Sequence, residues 1–156
     1  MPALSPVTVD LPHTFRPLGV RIAVFVFGGL LVLVTAVIWF TFPQSVRDQF
    51  TIFQRGTVIV LGLGFLSVGW GLARSRVEAR DAGLTVVNGY RVHSYDWAEV
   101  LAVNLRRGSP WAELDLSDGT SVNVIGIQGS DGNRAVRQAR ALRALVEEKS
   151  RTPRND

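Results

Sequence analysis

Two long apolar runs without a charged residue constrain this chain more than any other feature. The first, Ile22–Phe42, is 21 residues long, and the second, Gly56–Ala73, is 18 residues long. As a helix, the first run would span about 31 Å, close to the roughly 30 Å thickness of the hydrocarbon core of a bilayer. The sequence therefore predicts a hairpin of two transmembrane helices over residues 20–74, joined by the polar connection Gln44–Arg55.

Arginines flank the predicted hairpin unequally, and this inequality predicts its orientation. Five lie next to the outer ends of the spans and two lie in the connection: Arg16, Arg21, Arg74, Arg76 and Arg80 against Arg47 and Arg55. Because juxtamembrane Lys and Arg resist translocation, we expect a multi-pass protein of the cell membrane with both termini in the cytoplasm. The net charge of +4 fits this topology signal better than it fits binding of nucleic acid.

The residues before the first run have the composition of a disordered tail. Residues 1–19 contain four prolines among small and polar residues. The apolar run that follows exceeds the roughly 7–15 residues of a signal-peptide core. We therefore expect residues 1–19 to be a disordered cytoplasmic tail rather than a secretory signal.

Small residues recur at four-residue spacing along the second run, in the pairs Ser67/Gly71 and Gly69/Ala73. Such pairs let two membrane helices approach closely. The partner helix is either the first span or a second copy of the chain. We favour the first span, and the sequence leaves the oligomeric state open.

After Arg74 the apolar residues alternate with polar ones, which is typical of strands with one buried and one wet face. The segments Arg76–Arg80, Leu84–Val87 and Tyr90–Tyr95 follow this pattern, as do three later segments that contain Leu101–Leu105, Ala112–Leu116 and Val122–Val124. Asn88-Gly89 is a strong signal for a hairpin turn. We therefore predict a compact, antiparallel β domain of about six or seven strands within residues 75–150.

The last segment changes to helical spacing from about Asp131, with Ala135, Ala139, Leu142 and Val146 in one narrow stripe. Ser130 or Asp131 is the expected N-cap of this helix. Four arginines spread over the opposite face: Arg134, Arg137, Arg140 and Arg143. We predict that the apolar stripe closes one end of a curved sheet and that residues 151–156 form a disordered tail.

This order of elements resembles a pleckstrin-homology (PH) barrel, and three short segments strengthen the likeness. Asp81–Val86 followed by Asn88-Gly89 resembles the first hairpins of bacterial PH domains, Tyr95–Val100 resembles their recurrent tryptophan segment, and Ser117–Thr120 resembles their penultimate turn. Two spans followed by this domain resemble the actinobacterial membrane family named after low molecular weight protein antigen 6. The resemblance covers residues from about 20 to 150 and implies no enzymatic activity.

Residues suited to catalysis or metal binding are sparse. The chain has no cysteine and only two histidines, His13 and His93. In a strand, His93 and Ser94 point to opposite faces, which argues against a catalytic pair. We therefore expect no enzyme, no cofactor and no metal site.

Two functions remain for a folded domain held at a bilayer without catalytic residues. The favoured hypothesis is an adaptor that binds an unidentified protein through exposed strand edges or the mouth of the barrel. The alternative is a sensor of anionic lipid headgroups, with Arg134, Arg137, Arg140 and Arg143 as contacts. Trp97 could anchor a partner, but we favour a structural role at the barrel mouth for this large ring.

Overall fold

The computed structural model describes residues 9–151. Of the two expected tails, 1–19 and 151–156, residues 1–8 and 152–156 lie outside the described residues. Two long apolar helices, α1 (Leu18–Thr41) and α3 (Ile52–Arg74), flank the short helix α2 (Gln44–Arg47). Only 6% and 11% of the apolar stretches of α1 and α3 are buried. Length, composition and exposed apolar surface therefore suit both helices for crossing a membrane, whereas the core helix of a soluble protein would be mostly buried.

Both long helices begin four residues before the predicted spans, and α3 does so for a clear local reason. The hydroxyl of Thr51 accepts the backbone N–H of Gln54, and the side chain of Gln54 accepts the backbone N–H of Thr51. This capping box satisfies two amides that a helix start leaves without partners. Pro43 lies just after the end of α1, where its ring and missing N–H group prevent the helix from continuing.

The small residues of α3 divide between two neighbours. A Cβ added at Gly69 would lie 3.2 Å from Val24 on α1, which agrees with the predicted packing within the hairpin. A Cβ added at Gly71 would instead lie 3.1 Å from the ring of Tyr90 in the β domain. The Ser67/Gly71 face therefore receives a side chain of the β domain rather than the first span.

Within residues 9–151, seven strands form two antiparallel sheets, and a helix follows them, as the resemblance implies. The elements are β1 (His13–Phe15), β2 (Arg76–Arg80), β3 (Gly83–Asn88), β4 (Arg91–Tyr95), β5 (Val100–Asn104), β6 (Trp111–Leu116), β7 (Ser121–Gln128) and α4 (Asn133–Arg151). One sheet has the order β1-β2-β3-β4 and the other the order β5-β6-β7.

The first strand corrects the expectation of a disordered tail over residues 9–19. His13, Thr14 and Phe15 pair with Ala79, Glu78 and Val77 of β2, and Phe15 is almost completely buried in the core of the β domain. The helical hairpin therefore lies between the first two strands of the domain rather than before all of them. Because β1 and β2 are adjacent, both outer ends of the hairpin are fixed to the same sheet.

Burial alternates along β2 and β6 as predicted, whereas β4 is exposed over most of its length and the alternation breaks in β5. Val100 and Val103 are buried, whereas Leu101 between them is 64% exposed. The pairing of β5 with β6 shifts between Val100 and Ala102. This β-bulge turns Leu101 outward, and no local pattern in the sequence indicates it.

The predicted β-hairpin turn joins β3 to β4, but it lies one residue later in the chain than expected. Asn88 pairs with Arg91, so Gly89 and Tyr90 are the central residues, and Gly89 alone has a positive φ, 61°. Positive φ at the first central position fits a type II′ turn. Asn88 instead bridges the sheets, because its side-chain amide donates to the carbonyl of Asn123 and accepts the N–H of Ile125 on β7.

The last helix packs as its stripe predicts. Ala135, Ala139, Leu142 and Val146 are all buried in the core between the sheets. Asp131, however, does not cap α4. Its carboxylate accepts the backbone N–H groups of Leu18 and Gly19, each at 2.9 Å, and so caps α1 from more than 110 residues away.

Replacing Asp131 with alanine is expected to lower the free energy of unfolding by about 1 kcal/mol, the typical cost of losing an N-cap. Hydrogen exchange at the amides of Leu18 and Gly19 should accelerate, because both lose their acceptor. The matched control is Ser130→Ala, which should change stability by less than about 0.5 kcal/mol. Unchanged exchange at the start of α1 in Asp131→Ala would contradict the cap.

Candidate interaction surfaces

A single residue, Ser75, separates the second long helix from the β domain, and it fixes the two together. Its buried hydroxyl donates to the carbonyl of Gly71 at 3.1 Å and accepts the N–H of Gly89 at 2.9 Å. Tyr90 follows Gly89, and its hydroxyl donates to the carbonyl of Ser67 at 2.7 Å. The β3–β4 turn is therefore fastened to the last two turns of α3.

Charged side chains gather where α3 passes into β2. The guanidinium of Arg74 lies 5.5 Å from the centre of the Tyr90 ring, within range of a cation–π contact. Glu78 accepts hydrogen bonds from Arg76 and Arg80 on the same face of β2. The bond from Arg76 lowers the pKa of Glu78 most, burial opposes it by raising the pKa, and Arg80 lowers it further.

The lowered pKa of Glu78 predicts a loss of stability in acid. Above its ordinary pKa of 4.5 the carboxylate is charged in both folded and unfolded chains, and its contacts stabilise the fold fully. As the pH falls below 4.5 towards the folded pKa, the unfolded chain binds the proton first, so this stabilisation disappears. In Glu78→Gln, the free energy of unfolding should fall less steeply over this pH range than in the unaltered protein. Identical pH slopes in the two proteins would contradict the assignment.

A cavity of about 200 Å³ opens at the same junction, between the first turns of α1, the last turns of α3 and the start of β2. Its lining combines four arginines with two aromatic rings and one small residue: Arg16, Arg21, Arg74 and Arg76, Phe25 and Trp70, and Ala73. From the sequence, four of these residues were interpreted only as topology signals. The cavity was not predicted, because Arg16 and Arg76 are brought together by the pairing of β1 with β2.

The edge strand β4 is the most exposed strand of the domain. Arg91, Val92, His93 and Ser94 are all exposed, although their neighbours on β3 include the buried Val86 and Val87. The strand is the last in its sheet, so one row of its backbone groups has no strand partner within residues 9–151.

The side chains predicted as contacts do not form one site. Arg134, Arg137 and Arg140 are exposed on α4, and Arg143 donates to the carbonyl of Val103 at 2.6 Å. Trp97 is only 7% exposed, and its indole N–H donates to the carbonyl of Arg80 at 3.0 Å. This burial agrees with a structural role for Trp97.

The direction of α4 separates its arginines from the helix junction. The first part of α4 lies near the start of α1, since Gln138 donates to the carbonyl of Arg16 at 3.3 Å. The end of α4 lies at the opposite end of β2, where Lys149 pairs with Asp81 at 3.0 Å. The helix therefore runs away from the junction, and its arginines lie at increasing distances from it.

No group of three or more His, Cys, Asp or Glu side chains lies close enough to hold a metal ion within the described part of the chain. His93 and Ser94 lie on opposite faces of β4, and the hydroxyl of Ser94 contacts that of Thr85 at 3.2 Å.

Comparisons with known proteins agree with this architecture. The model of the family described as bacterial PH domain matches residues 74–145. Uncharacterized proteins of Mycobacterium bovis and Mycobacterium tuberculosis are 34% identical to this chain over 105 residues, which cover 65% of this chain and 68% of each relative. No solved structure matches significantly.

Proposed function

This chain belongs to the actinobacterial family of bacterial PH domain proteins, and from that premise we propose that it is a non-catalytic adaptor at the cytoplasmic face of the cell membrane. The helices α1 and α3 are the anchor in this proposal, and the β domain binds a partner protein. The apolar, exposed surfaces of both helices support the anchor. The cluster of arginines at the outer ends of the hairpin supports the orientation.

The observation that carries the adaptor role is the uncovered edge strand β4. An extended segment of a partner can add to such an edge through backbone hydrogen bonds, with side chains alternating between the two faces. Within the two-residue hairpin, Asn88 and Arg91 form the hydrogen-bonded pair next to the turn, so the backbone groups of Val92 and Ser94 point away from β3. These are the groups that an added strand would use.

The test is photocrosslinking in intact cells with a benzophenone side chain at Val92, which is 55% exposed. We expect one discrete protein adduct. Ser94→Pro should abolish it, because proline removes one outward N–H group that an added strand requires. The matched control Ser94→Ala loses the hydroxyl contact with Thr85 but retains the N–H, so it should keep the adduct. Equal adducts from both variants would exclude strand addition at β4.

The alternative function, sensing of anionic headgroups through the face of α4, rests on the exposure of Arg134, Arg137 and Arg140. Its weakness is the direction of α4, which runs from the helix junction towards the opposite end of β2. Attraction to an anionic surface falls off within a Debye length of about 8–10 Å. Of the four arginines, only Arg143 lies in the far half of the helix, where it donates to the carbonyl of Val103, so it would contribute least.

A further inference from the structure

We infer that the cavity between α1, α3 and β2 binds the phosphate-bearing headgroup of an anionic phospholipid. This inference concerns a different surface from β4 and does not depend on the adaptor role. It rests on three properties of the cavity: its positive charge, its aromatic wall on the side of the spans, and its position at the end of the hairpin that carries most of the flanking arginines.

The charge of the cavity is largely uncompensated. Arg16, Arg21 and Arg74 form no ion pair with a carboxylate among residues 9–151, while Arg76 shares Glu78 with Arg80. The carboxylate of Asp131, at the start of α1, accepts the backbone N–H groups of Leu18 and Gly19. Four arginines line this one cavity, so their positive charges repel each other, and an anion bound there relieves that repulsion.

Guanidinium groups suit phosphate in geometry as well as charge. The planar group offers parallel N–H donors that bind two phosphate oxygens at once. A volume of about 200 Å³ corresponds to roughly six or seven water molecules at about 30 Å³ each. The cavity therefore has room for a headgroup phosphate together with some of its water.

The aromatic residues distinguish a lipid from a free phosphate ion. Phe25 lies seven residues into α1, or about 10 Å along the helix axis, and Trp70 lies one turn before the end of α3. Both residues are more than half exposed and line the cavity together with the arginines. A lipid would place its phosphate among the arginines and its glycerol and first methylene groups against Phe25 and Trp70, whereas a free ion would leave these rings uncovered.

A basic cavity bounded by membrane helices is a recurrent form of headgroup site, and it differs from a flat charged surface because its side chains line one open cavity. The arginines of α4 instead spread along an exposed helix face. The two locations therefore predict opposite outcomes for charge-neutralising substitutions.

The experiment uses the purified full-length protein in a neutral detergent, titrated with phosphatidylglycerol or phosphatidylcholine and followed by native mass spectrometry. We expect one phosphatidylglycerol molecule to bind at concentrations where phosphatidylcholine does not. Arg21→Gln and Arg74→Gln should each weaken this binding by at least about tenfold, the smallest loss expected on removing a charged donor from an anion. The matched control Arg137→Gln/Arg140→Gln removes the same type of charge from α4 and should change the affinity by less than twofold.

Three further arms complete the test. Arg21→Lys should recover part of the affinity lost in Arg21→Gln, which shows that the loss is electrostatic rather than a failure to fold. Inorganic phosphate at millimolar concentration should not displace the lipid. Trp70→Ala should weaken the binding of phosphatidylglycerol. Equal binding of both lipids, loss of binding in the α4 variant, or displacement by inorganic phosphate would overturn the assignment.

Discussion

Replacing Gly126 with valine is expected to lower the free energy of unfolding of the β domain by about 3 kcal/mol or more, at the upper end of overpacking costs. A Cβ at this position would lie 2.8 Å from both the Cα and the carbonyl carbon of Arg76 and 3.0 Å from the backbone nitrogen of Val77. These are backbone atoms of β2, so no change of side-chain rotamer relieves the clash. The two sheets approach closely here, and only glycine, which has no Cβ, permits so short a distance between β7 and the backbone of β2.

The measurement is denaturant unfolding of the full-length protein in detergent, followed by the near-ultraviolet circular dichroism of the β domain. Gly62→Val is the matched control, because a Cβ at Gly62 on α3 meets no atom within 4 Å. It should leave the transition of the β domain unchanged. A Gly126→Val protein with the unaltered transition would show that β2 and β7 do not approach as described.

Replacing Leu142 with alanine is expected to lower the free energy of unfolding by about 2–5 kcal/mol, the range for a large aliphatic residue removed from a core. Leu142 lies on α4, and its side chain is fully buried in the core that this helix shares with the sheets. The loss combines the transfer free energy of the deleted methyl groups with the cost of the cavity left behind. An effect of this size requires that α4 closes the core rather than resting on its surface.

The matched control lies on the same helix. Val136 is 39% exposed, so Val136→Ala should change the free energy of unfolding by about 0.5 kcal/mol or less. Similar small effects from both substitutions would show that the apolar stripe of α4 is not embedded in the core.

The parts of this fold that follow from short-range patterns were predictable from the sequence. Apolar run length gives α1 and α3, alternation gives most strands, and the spacing of Ala135, Ala139, Leu142 and Val146 gives the buried face of α4. Each of these patterns depends on neighbours within a few residues. The bulge that exposes Leu101 was not predictable, because it depends on how β5 pairs with β6.

The parts that depend on distant residues were missed. Strand β1 has only three residues, and its partners on β2 lie more than 60 positions later in the chain. Its one buried side chain, Phe15, gives no periodic signal. Asp131 was expected to cap its own helix, as local statistics favour, yet its carboxylate binds the start of α1. The arginine-lined cavity follows from both contacts and so was invisible in the sequence.

The central claim is that α1 and α3 cross the bilayer and that the β domain lies in the cytoplasm. The accessibility of single cysteines to a labelling reagent tests this topology directly. The chain has no cysteine of its own, so one can be introduced at Ser45, in the connection between the helices, or at Ser117, in the exposed turn after β6. In intact cells, a membrane-impermeant maleimide should label Ser45→Cys and leave Ser117→Cys unlabelled until lysis. Labelling of Ser117→Cys in intact cells, with Ser45→Cys protected, would contradict the proposed topology.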